Sequence, residues 1–76
     1  MKANLDKIDD AVLALLHLTS FTDHGLTRAW KGHDWEALDR LHQKGYISDP
    51  KNKYKSVALT EAGRARAQEL FERLFA

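Results

Sequence analysis

A chain of 76 residues without a single cysteine has no disulfide or thiolate metal centre to hold it together. Its stability must therefore come from tight packing of its elements or from a second copy of the chain. The length suits one domain spanning residues 1–76, since chains divide only at several times this size. With 43% hydrophobic and 30% charged residues, enough apolar surface is present for a folded core. No apolar run approaches the roughly eighteen residues of a membrane span, and the start, Met1 to Asp6, lacks the apolar stretch of a leader. The expected setting is the cytoplasm. So short a chain also leaves little room for a deep catalytic cleft.

Periodicity divides the chain into four helical segments and a hairpin. Asn4 is a good cap for a first helix, on which Leu5, Ile8, Val12, Leu15, Leu16 and Thr19 recur at helical spacing, with Asp6, Asp9 and Asp10 on the opposite side. Ser20 to Gly25 reads as a loop, followed by a short helical turn from Leu26 to Trp30. Lys31-Gly32 breaks that turn, and His33 or Asp34 caps a third helix that runs to Lys44. Its inner stripe is Trp35, Leu38, Leu41 and His42; Glu36, Asp39, Arg40, Gln43 and Lys44 point outward. Gly45 stands where a helix needs a left-handed terminator. Tyr46-Ile47-Ser48 and Lys53 to Leu59 then suit two strands joined by the turn Asp49-Pro50-Lys51-Asn52. Thr60 caps a last helix, in which Ala67, Leu70, Phe71, Leu74 and Phe75 form an apolar stripe and Glu69 and Arg73 pair at i, i+4.

The expected architecture is mainly α with a small β-hairpin: helix, short helix, helix, two-stranded wing and C-terminal helix, a winged helix-turn-helix. Leu38 to Ile47, followed after a turn by Val57-Ala58-Leu59-Thr60-Glu61-Ala62-Gly63-Arg64, resembles MarR- and PadR-type bacterial regulators. The resemblance spans residues 38–64 and implies DNA binding by the third helix and the wing. The segment Ala29-Trp30-Lys31-Gly32-x-Asp34-Trp35 is also similar to a small family of uncharacterised bacterial winged-helix proteins, a likeness that implies no activity.

Charge points to the same region. Net charge is +1, yet residues 25–59 hold seven basic against four acidic side chains. For double-stranded DNA, Lys51, Lys53 and Lys55 on the wing suit phosphates, as do Arg28, Lys31 and Lys44 near the helices. Arg40 and Gln43 are chemically able to read guanine and adenine edges. The alternative is a protein-interaction module on the same scaffold, because Glu36 and Asp39 put negative charge in the N-terminal half of the third helix and suit a basic partner. Trp30 and Trp35 are expected as core wedges that fix the corner between two helices, the other reading being an exposed aromatic patch for a partner. The first and last helices are expected to form a homodimer. His17, His24, His33 and His42 show no ligand spacing, so no metal is expected. No catalytic motif, cofactor motif or glycine-rich phosphate loop is present, and an enzyme is not expected.

Overall fold

The computed structural model describes residues 2–76 and contains three helices and a three-stranded antiparallel sheet. Helix α1 (Leu5–Leu18) is followed by strands β1 (Phe21–Asp23) and β2 (Leu26–Trp30), helix α2 (Trp35–Gln43), strand β3 (Ser56–Ala58) and helix α3 (Glu61–Phe75). The sheet order is β1-β2-β3. All three helices start where a single side chain can accept the first free amides: Asn4 from Lys7, Asp34 from Ala37 and Thr60 from Gly63. Gly45, at φ +82°, turns the chain away after α2 as expected.

The segment Leu26–Trp30 is a strand rather than a helical turn, so the two-helix corner expected there does not form. His24 and Gly25 both adopt positive φ, 50° and 78°, and Asp23 pairs with Leu26 across them. Two consecutive left-handed residues suit the twist of a two-residue hairpin, and this one folds β1 onto β2. β2 then pairs with β3, with Ala29 opposite Val57. Thr27 and Ala29 face the core, while Leu26, Arg28 and Trp30 alternate outward.

The expected two-stranded wing is replaced by this three-stranded sheet. Residues 46–48 are reduced to a bridge from Ile47 to Leu59, fastened by Ser48 N to Ala58 O at 2.9 Å and Thr60 N to Tyr46 O at 3.0 Å. The second strand begins at Ser56, not Lys53, and residues 49–55 form an irregular loop.

One core joins the helices to the inner face of the sheet: Leu13 and Leu16 of α1, Leu38 and Leu41 of α2, Ala67 and Leu70 of α3, with Ala29, Ile47, Val57 and Leu59. The outer face has no helix over it, and the molecule is only 18 Å through its thinnest direction. Several assignments change side, and Thr19 and His42, expected inward, are exposed. Leu5 is exposed and Asp9, expected outside, is fully buried. Trp30 and Trp35 are not core wedges but stand 56% and 54% exposed. Among the described residues no helix is long and apolar enough to cross a membrane.

Candidate nucleic-acid interface

The eight basic and polar residues expected to meet DNA separate into three groups. Arg40 and Lys44 face α1 and hold the buried carboxylate of Asp9. Arg40 Nε lies 2.9 Å from both Asp9 oxygens, its terminal nitrogen 2.8 Å from Oδ1, and Lys44 Nζ 2.9 Å from Oδ2. Lys44 also reaches Asp6 at 3.3 Å. Burial raises the Asp9 pKa, but the hydrogen bonds and charges of Arg40 and Lys44 outweigh it and hold the carboxyl below its ordinary value. The hydrogen bonds to Asp9 in turn raise both cations, so each keeps its proton more firmly. These two charges clamp α1 to α2. Gln43, on the same helix, remains exposed.

Arg28 and Lys31 form the second group and hold the loop after α2. Arg28 donates from Nε to Ser56 Oγ at 2.8 Å and from Nη2 to the Ser56 carbonyl at 3.2 Å, and its guanidinium lies 5.9 Å from the centre of the Tyr54 ring. Lys31 Nζ donates to the Pro50 carbonyl at 2.8 Å and to the Asn52 carbonyl and side chain at 2.9 and 3.0 Å. It also sits 5.8 Å from the Trp35 ring centre. Three acceptors around one ammonium tie the loop to the end of β2. Asp49 tightens the same loop by accepting from Lys51 N at 2.9 Å, an Asx turn.

Lys51, Lys53 and Lys55 make the third group, on the exposed outer part of that loop. Lys51 comes within 4.0 Å of Asp39. Lys53 and Lys55 have no ion-pair or side-chain hydrogen-bond partner among the described residues. Glu36 is exposed on the first turn of α2, and Asp39 is half-buried beside Lys51.

The aromatic residues are the part of this surface that periodicity alone does not locate. Phe21 and Trp30 stand on the outer sheet face with ring centres 6.3 Å apart at 47°. Register explains the meeting: Phe21 pairs with Arg28, and Trp30 is the next outward residue along β2. Tyr54, 62% exposed, covers the other side of Arg28. The open face thus carries Phe21, Leu26 and Trp30, with Tyr54 against the fixed guanidinium and the exposed Lys53 and Lys55 on either side of Tyr54 in the loop. The signal in the sequence is the alternation Leu26-Arg28-Trp30 behind His24-Gly25, which reads as an outward strand face once the turn is recognised. Among the described residues no cluster of His, Asp or Glu could hold a metal ion, and the surface has no pocket.

Fold and surface together define a small domain of helices and antiparallel sheet whose sheet is covered on one side only. The chain belongs to the family described as Domain of unknown function (DUF6429), whose profile matches residues 4–76. It is 57% identical over 75 residues to Uncharacterized protein y4hR of Sinorhizobium fredii (strain NBRC 101917 / NGR234), covering 99% of this chain and 97% of that protein. No solved structure matches it.

Proposed function

We propose that this domain binds nucleic acid, using the open sheet face and the lysine-bearing loop beside it. The observation that carries this reading is the exposure of Phe21, Trp30 and Tyr54 together with that of Lys53 and Lys55, which flank Tyr54 in the chain and whose charges have no internal partner among the described residues. Large apolar side chains left together in water mark an interaction surface. The cations at its border select a polyanion. In a winged-helix reading of the domain, the excursion from Ile47 to Leu59 is the wing and α2 the recognition helix. The lysines support the wing half. α2 has less to offer, because Arg40 and Lys44 are engaged with Asp9 and only Gln43 stays free to read a base edge. A small bacterial transcription regulator is the setting that such binding suits.

Fluorescence anisotropy with labelled duplex and single-stranded oligonucleotides at about 50 mM salt tests the reading. Binding should weaken steadily as salt rises. Replacing Lys53 and Lys55 together by alanine should make the logarithmic salt slope shallower by about 1 to 2, one phosphate contact per lysine. Failure to bind any nucleic acid at micromolar protein overturns it.

A further inference from the structure

Resting on the nucleic-acid reading, we infer that the ligand is single-stranded and that its bases stack on the Phe21–Trp30 pair of the outer sheet face. Aromatic rings reward a nucleic acid only when its bases are unstacked and free to lie against them; a duplex hides those faces. Here the two rings stand together at 6.3 Å on a face with no helix over it, Phe21 40% and Trp30 56% exposed. Their mutual angle of 47° leaves each ring with a free side.

The setting is preorganised. Phe21 and Trp30 project from paired strands, so backbone hydrogen bonds fix their positions. Opposite Phe21 in register, Arg28 reaches toward β3, where it is locked by two hydrogen bonds to Ser56 and by the Tyr54 ring. A guanidinium has five N–H groups, and those not bonded to Ser56 remain available to a base edge or a phosphate on this face. A three-stranded sheet is about 10 Å across between its outer strands, room for two or three stacked bases.

Charge fits a polyanion running across the face. Segments 21–35 and 49–56 hold Arg28, Lys31, Lys51, Lys53 and Lys55 against Asp23, Asp34 and Asp49. Asp34 caps α2 and Asp49 closes the loop turn, so both carboxylates already accept backbone amides. A winged-helix domain reading a duplex would instead put α2 in the groove. The exposed start of α2 presents Glu36 near Asp34, while Arg40 and Lys44 are drawn toward α1.

Tryptophan emission gives a direct readout. In Trp35→Phe, Trp30 is the single remaining tryptophan. Titration with a single-stranded oligothymidine of about 12 nucleotides should quench its emission, as base stacking on an indole does, and a hairpin duplex of equal charge should not. Trp30→Ala and Phe21→Ala should each weaken single-strand binding about ten- to a hundredfold while leaving the salt slope nearly unchanged. Both side chains are exposed, and circular dichroism should show both variants folded. If the duplex binds as tightly as the single strand with Trp30 unquenched, the single-strand inference fails and the nucleic-acid reading survives. If neither nucleic acid binds, both fail. A Trp30 emission that shifts with protein concentration alone would put a second copy on this face and overturn the inference as well.

Discussion

Gly63 is the residue at which a single atom decides the packing. A methyl group built there would overlap the backbone carbonyl of Tyr46, not a side chain that could swing aside. Close approach of residues 46 and 63 lets Thr60 N reach the Tyr46 carbonyl at 3.0 Å and Thr60 Oγ1 donate to the Gly45 carbonyl at 2.6 Å. The same Oγ1 accepts from Gly63 N at 3.0 Å. The Leu59-Thr60-Glu61-Ala62-Gly63 run therefore seats the first turn of α3 against the end of α2, a structural duty. Alanine is the better helix former by about 1 kcal/mol, and the overlap must overcome that gain. Gly63→Ala is expected to cost about 2 kcal/mol net, because backbone cannot yield as a side chain does. For a domain of this length that is a fall of roughly 10 °C in Tm, readable by thermal circular dichroism. An unchanged Tm would mean that α3 is not seated on Tyr46.

At the scale of elements, what joins α1 to α2 is apolar packing together with one buried carboxylate. Asp9 is 0% exposed and meets Arg40 and Lys44, which keep contact with water. Its folded pKa lies below the ordinary value of an aspartate, so the carboxylate contributes stability that is complete above the unfolded pKa. That contribution is lost as pH falls through the depressed folded value. Asp9→Asn should cost about 2 kcal/mol at neutral pH, since the two cations can rehydrate partly once released. It should also flatten the stability profile on the acid side, below about pH 5. Urea unfolding across that range checks both, and an unaltered acid slope in the variant would remove Asp9 as the acid-sensitive group. Asp9 also shows where sequence legibility ends. Its partners lie 31 and 35 positions away, and a carboxylate beside Asp10 is naturally read as solvated. The caps at Asn4, Asp34 and Thr60 and the terminator Gly45 were legible because each depends on its own side chain and the next turn. Leu26–Trp30 was not: Leu26, Ala29 and Trp30 fit helical spacing, and the strand is made by pairing with β1 across the unrecognised His24-Gly25 turn and with β3, some thirty residues on. Of the candidate interface, the loop lysines were legible from charge. The aromatic face was hidden by the reasonable expectation that tryptophan is buried.

On the scale of the whole molecule, the question is which surface another chain could cover. α1 and α3 pack against each other within one chain, and Ala67 and Leu70 are spent in that contact. What remains exposed at the helix ends is Leu5, Leu18, Leu74 and Phe75, with Phe71 half-buried against His17 at 5.2 Å. Four such side chains, split between opposite ends of α1 and the end of α3, supply far less than the ~800 Å² per partner of a standard interface. A homodimer through these ends is therefore expected to be weak, and the protein should sediment at the mass of one chain, 8.7 kDa. That holds at about 10 µM, well below the dissociation constant such a contact allows. The sheet face is the larger apolar surface, and a copy bound there would cover Trp30 and compete with any nucleic acid. Leu74→Ser combined with Phe75→Ser separates the two arrangements. A dimer abolished by this pair uses the helix ends and leaves the sheet face free. A tight dimer that survives the pair but is lost in Trp30→Ala would assign the aromatic face to self-association, and the lysines beside it would then be solvating charges at the rim of a protein interface.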